Sequence, residues 1–181
     1  MGIHTRVATV IVVLFLAGCS HGGAGRPEPA EAPAKGNGME LVSPAFADQA
    51  TIPEQYTCDG TDISPPLELS GLPQATVSLA LVMDDPDAMS GAWDHWVVFD
   101  IEPRASIPES VENLGTAGTN SWGRTDYGGP CPDLGVHRYF LTVYALDVEL
   151  GLEQGASKLD VLGALEGHVL AEATLVGRYG H

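Results

Sequence analysis

Asp85, Asp87, His95 and His137 are the residues whose types and spacing could do chemistry, and each sits at the edge of an apolar run. Two carboxylates with two imidazoles can move protons, hold a metal ion or bind an anion. An enzyme would use all four as acid–base groups or metal ligands. The companions such chemistry needs are missing from the sequence. No serine lies in a nucleophile-elbow pattern, no His-x-x-x-His pair occurs, and neither Cys58 nor Cys131 is a clear nucleophile. The expectation is therefore a binding site, with no catalytic residue, no metal and no cofactor. Each residue also has a plainer explanation. A lone histidine on an apolar strand is commonly a satisfied core histidine, Asp85-Pro86-Asp87 could be a turn, and Gly128-Gly129-Pro130 could be only a loop.

The elements that must position these groups read mostly as strands. Leu79 to Met83, Trp96 to Ile101 and Tyr139 to Leu146 are short runs rich in Val, Leu and aromatics, bounded by Gly, Pro or Asp. Alternate residues of a strand share a face. Asp85 then goes with Leu79, Leu81 and Met83; His95 goes with Trp93, Val97 and Phe99; His137 and Tyr139 go with Leu141 and Val143. Polar groups at strand ends on otherwise apolar faces need partners, and the pattern predicts that they meet across a small cavity. Ser157 is a candidate N-cap for a helix carrying Leu159, Leu162, Leu165 and Val169 at helical spacing. A last strand is expected at about Thr174 to Tyr179.

The first 18 residues, MGIHTRVATVIVVLFLAG, pair one arginine with an apolar run from Val7 to Phe15, too short for a spanning helix of roughly 20 residues. They read as an export signal. Leu16-Ala17-Gly18-Cys19 matches a lipobox, so Cys19 is the expected lipidation site and first mature residue, and the protein is expected on the outer side of a cell membrane or in the envelope. The alternatives are an ordinary secretory signal with an incidental cysteine, or a transmembrane anchor. Residues 19–38, rich in Gly, Pro, Ala and Glu, cannot bury enough surface to fold and read as a disordered tether. Residues 39–181 make one domain of common size. Eight Lys+Arg against 24 Asp+Glu give a net charge of −16, which disfavours nucleic acid and anionic lipid surfaces as partners. Cys58 and Cys131 are then an even pair in an oxidising setting, and a bridge between them is expected. Two free thiols, or half of a metal site, are the alternatives.

DPDA at Asp85–Ala88, WDHWVVFDI at Trp93–Ile101 and GGPCPDLGVHRYFLTVYAL at Gly128–Leu146, in this order, resemble the signature blocks of the phosphatidylethanolamine-binding protein family. CDGTDISPPLEL at Cys58–Leu69 and the position of Cys131 are similar to its bacterial YbhB/YbcL (Raf-kinase-inhibitor-like) branch. The likeness runs from about Leu41 to Tyr179. It implies a mainly β fold, with a large antiparallel sheet, a smaller second sheet and peripheral helices, and a surface pocket for anions such as phosphate, acetate or a phospholipid headgroup. Carried over by motif, the pocket residues are Asp85, Asp87, His95, Gly129, Pro130, His137 and Tyr139. Met89 stands where the family often has proline, and Asp133 follows Pro132 where it often has a second proline. An extra acid beside an anion pocket should weaken anion binding.

Two functions follow as expectations. One is a lipid-anchored binding protein for a small anionic or phosphorylated ligand. The other, resting on the resemblance, is a protein–protein module that inhibits or modulates an extracytoplasmic hydrolase or signalling partner.

Overall fold

The computed structural model describes residues 38–181 together with Gly2. The chain divides into two units, 1–33 and 34–181, and the fold below is that of the second. The expected signal peptide, Cys19 and the tether lie outside the described residues, save Gly2 and Gly38.

The long apolar runs form a five-stranded antiparallel sheet from β3 (Ser78–Asp85), β4 (Trp93–Ile101), β6 (Thr116–Ala117), β7 (His137–Leu146) and β8 (Val169–Tyr179), in the order β6-β4-β3-β7-β8. A smaller antiparallel sheet joins β1 (Glu40–Val42), β2 (Leu67–Ser70) and β5 (Ser106–Ile107), in the order β1-β2-β5. The expected mainly β fold with a large and a small sheet is what the chain adopts.

The sheets face each other across the main core. Leu41, Leu67, Leu69 and Ile107 of the small sheet share it with Leu79, Leu81, Met83, Trp96, Leu141, Val143 and Leu175 of the large one. A second apolar cluster covers the other face, where Val161 and Leu165 meet Ala80, Val97, Phe99 and Leu146. The central strand β3 is thus apolar on both faces along Leu79–Met83, which is why its sequence does not alternate.

The helix is shorter than its leucine spacing suggests. α1 (Lys158–Ala164) begins at Ser157, whose hydroxyl accepts from the Asp160 amide while the Asp160 carboxylate accepts from the Ser157 amide. Its buried contacts come from Val161 and Leu165, whereas Leu159 is 79% exposed. Val169 belongs to β8, not to the helix. Gly167 takes a left-handed conformation (φ 82°) that ends the helical path, and β8 then pairs with β7 over its whole length, from Leu146↔Val169 to His137↔Tyr179. Lys158 pins α1 to the sheet: its ammonium donates to Asp84 (2.7 Å) and Asp94 (2.6 Å), two carboxylates directly opposite each other on β3 and β4.

Candidate functional site

Asp85 is the last residue of β3 and His137 the first of β7, two paired interior strands, so both lie at the same end of the sheet. His137 Nδ1 donates to Asp85 Oδ2 at 2.7 Å. The other carboxylate oxygen of Asp85 accepts the Asp87 amide at 2.8 Å. With Nδ1 committed, His137 Nε2 is the nitrogen left for a ligand.

His95 reaches the same place by a route that simple alternation misses. Val97 and Phe99, its expected face-mates, pack on the helix side of the sheet. The register runs Met83↔Trp96 and then Asp84↔Asp94, so His95 is the extra residue of a β-bulge. A bulge re-aims side chains. It brings the His95 ring edge-on to Tyr139, at 5.2 Å between centroids, and to Trp122 at 5.0 Å. His95 Nδ1 lies 2.7 Å from the Gly128 carbonyl, which can only accept, so the proton sits on Nδ1 and Nε2 carries a lone pair. Burial pushes the pKa of His95 below the ordinary 6.5, against the opposing pull of the Gly128 carbonyl and the Asp85 charge. At neutral pH this imidazole is uncharged.

Tyr139 is fully buried, and its hydroxyl makes no well-formed hydrogen bond to any described group. Burial first, and then the nearby Asp85 charge, push its pKa well up, so it remains a phenol and a donor. An unpaired buried hydroxyl costs about 1–3 kcal/mol.

Asp85, His95 and His137 border a cleft of about 790 Å³. Gly129 lines it too, but four expected contributions differ. Tyr139 is buried against the His95 ring and does not line the cleft. The Asp87 carboxylate is not at the cleft: Arg138 Nε (2.8 Å) and Nη2 (2.6 Å) clamp it from the exposed side, and these bonds hold its pKa down to about 2. Pro130 is buried behind the wall, where its carbonyl accepts the Cys58 amide at 3.1 Å. The Gly129 amide is already spent on Asp62 Oδ1, at 2.7 Å. Gly129 is glycine for want of space, since a Cβ there would collide with the Tyr56 carbonyl and lie 2.6 Å from Asp62 Oδ1.

The opposite wall comes from residues the sequence reading passed over. Trp122 packs edge-on against Trp93 (5.4 Å), and the Arg124 guanidinium lies 5.5 Å from the centre of its ring. Gly128 lies directly beneath, where a Cβ would come within 2.5 Å of the Trp122 ring. The stretch NSWGRTDYGG offered a signal, an aromatic and a cation beside a glycine pair just ahead of the motif already singled out. Met89 (76% exposed) and Leu134 (75%) stand at the mouth. A disulfide joins Cys58 to Cys131, with Cα atoms 5.4 Å apart, and ties two loops of the cleft wall together.

Paired antiparallel sheets with a cleft of this size at the strand ends define a small β-sheet protein with a candidate binding site set in its rim. The sequence model of the phosphatidylethanolamine-binding protein family matches residues 42–180, and the chain belongs to that family. It is 53% identical over 148 residues to a UPF0098 protein of Methanothermobacter thermautotrophicus, covering 78% of this chain and 98% of the relative. A UPF0098 protein of Aquifex aeolicus is 46% identical over 150 residues, covering 78% and 88%. Among solved structures, a putative phosphatidylethanolamine-binding protein homologue from Chlamydia trachomatis superposes with a TM-score of 0.77 at 39% identity, covering 80% of this chain and 99% of that one. YbcL of E. coli, described as a new member of the mammalian family, gives 0.73 at 25% identity, with the same coverage. The chain thus falls in the UPF0098/YbcL-like branch.

Proposed function

We infer that the protein is a lipid-anchored, extracytoplasmic binding protein whose cleft takes a small anion or phosphoryl group, without catalysing a reaction on it. The observation that carries this reading is that His95 and His137 line one cleft, each with Nδ1 committed and Nε2 left for a ligand. Neutral His95 accepts, so it favours a ligand that still carries a proton, such as the monoanion of phosphate or a phosphomonoester. The alternative is that His95 takes up a proton as the ligand arrives. In both cases binding consumes a proton. Because His95 has its pKa depressed in the free protein, an anion that pairs with its protonated form raises that pKa, and affinity increases as pH falls. Membrane attachment rests on the Cys19 lipobox alone.

Calorimetric titration of the full chain with inorganic phosphate at pH 8, 7 and 6 tests the cleft. Affinity should rise at each step downward, and His95→Ala with His137→Ala should abolish the rise while the fold is retained. Affinity equal at all three pH values, or unchanged in the double variant, removes the reading. For the anchor, Cys19→Ala should abolish the mature, lipid-modified form in the membrane fraction, and its persistence there contradicts the assignment.

A second reading, a module that inhibits or modulates an extracytoplasmic hydrolase or signalling partner, draws on Met89, Trp122 and Leu134 exposed around the cleft mouth. Exposed apolar groups beside a polar pocket suit a protein surface as well as a ligand.

A further inference from the structure

The described residues hold one group of side chains with metal-ligating atoms gathered closely: Cys58, Cys131 and His181 are all exposed, and one ligand atom from each lies within 4.8 Å of the others. The sulfurs are joined to each other. A disulfide is a poor ligand, whereas the thiolates it yields on reduction are good ones. We propose that two-electron reduction of the Cys58–Cys131 bridge by a dithiol uncovers a Cys2His site for a borderline-soft divalent cation, zinc above all.

The histidine is already arranged for this. His181 Nδ1 donates to Asp59 Oδ2 at 2.9 Å, which leaves Nε2 as the nitrogen able to coordinate. The same carboxylate oxygen accepts the Tyr179 hydroxyl at 2.5 Å, so Asp59, next to Cys58 in the chain, is fixed from the β8 side. A carboxylate that orients a ligand histidine through its far nitrogen is the usual outer shell of a zinc site.

The two cysteines are held in place by more than their own bond. The Cys58 amide donates to the Pro130 carbonyl, and Cys131 lies between two buried prolines, Pro130 and Pro132. On reduction the side chains can separate to the roughly 3.8 Å that two thiolates need on tetrahedral zinc with Zn–S of about 2.3 Å, while the backbone stays where it is. Sulfur and imidazole donors select zinc over calcium or magnesium. Asp59 and a chain charge of −16 favour a cation at this rim. The fourth position faces solvent and is open to water.

The balance is simple. The dithiol becomes a disulfide and passes two electrons and two protons to the protein sulfurs, giving two thiols. The cation then displaces both thiol protons to solvent. In an oxidising compartment the bridge persists and the site stays closed.

The test uses the full chain with Cys19→Ser, so that only this pair can supply thiols, and zinc and cobalt(II) as probes. The reduced protein should bind one equivalent of zinc, and cobalt should give thiolate charge-transfer bands with tetrahedral visible absorption. The disulfide form should give neither. Zinc should raise the thermal midpoint of the reduced protein and leave that of the oxidised protein unchanged. His181→Ala should weaken zinc binding at least tenfold, and Asp59→Asn should weaken it roughly 10–100-fold. Equal zinc affinity in the two redox states overturns the proposal, as does a reduced His181→Ala protein that binds as tightly as the parent. If reduction unfolds the chain, zinc should restore the β circular dichroism signal, and a chain that stays unfolded with zinc also overturns it.

Discussion

The Tyr139 hydroxyl is buried without a well-formed partner, and its ring packs against the His95 ring that lines the cleft. The Asp85 carboxylate is tied to His137 and to the Asp87 amide, and His95 Nδ1 to Gly128. Stability and binding should therefore respond in opposite directions to Tyr139→Phe. The change removes an unsatisfied group and leaves the ring in place, so it should raise the unfolding free energy of the ligand-free protein by about 1 kcal/mol. Where the hydroxyl reaches the ligand, as the family resemblance implies, the change should also lower phosphate affinity severalfold. Urea denaturation and calorimetry on the same preparations read both effects, and a destabilised Tyr139→Phe protein with undiminished phosphate affinity would show that the hydroxyl serves the core alone. Asp87 illustrates the contrary case. Its neighbour in the motif reaches the cleft, but an exposed arginine one residue beyond His137 captures it on the far side of the strand. Residue type and spacing could not reveal that capture, because it depends on how β3 and β7 are registered.

At the scale of elements, the edge where the cleft forms is fixed by a like-charge pair and one cation. Asp84 and Asp94 face each other across β3 and β4, an arrangement that repels unless neutralised, and the Lys158 ammonium sits between them from α1. Burial opposes the charge on Lys158, but bonds to both carboxylates outweigh it and keep its pKa raised. Lys158→Met should destabilise the domain by about 2 kcal/mol, since it leaves two half-buried carboxylates opposed, and Asp84→Asn in the same chain should recover part of the loss. A double-mutant cycle by urea unfolding checks this, and strictly additive effects would mean that the triad is not coupled. The long strands and the helix N-cap were legible because apolar runs and Ser157 carry local signals. The short strands β1, β2, β5 and β6 were not, since two to four residues show no period. The bulge at His95 was equally hidden. It depends on pairing with β3, and it turned a parity argument that grouped His95 with Val97 and Phe99 into a contact with Tyr139 on the opposite face.

For the molecule as a whole, the main core draws on both sheets, and the Cys58–Cys131 bridge joins two of the loops that wall the cleft. It spans 73 residues of sequence, and in the loop-entropy account closing a loop of that length stabilises by about 4 kcal/mol through restriction of the unfolded chain. Were that the whole effect, Cys58→Ser with Cys131→Ser would lower stability by about 4 kcal/mol and leave the folded cleft unchanged. The structure adds a second contribution. Cys131 neighbours the Tyr139 hydroxyl, and the Gly129 amide bonded to Asp62 lies two residues away. Loss of the bridge should accordingly free the cleft wall as well, so phosphate affinity should fall under conditions where the variant remains fully folded. Guanidinium unfolding should show a lower midpoint and a slope at least as steep, because the unbridged denatured chain exposes more surface. Calorimetry at low temperature, well inside the folded baseline, then separates the two contributions. A variant destabilised by the expected amount but binding phosphate as tightly as the parent would confine the bridge to the unfolded state, and a variant of unchanged stability would contradict the loop-entropy account for this protein.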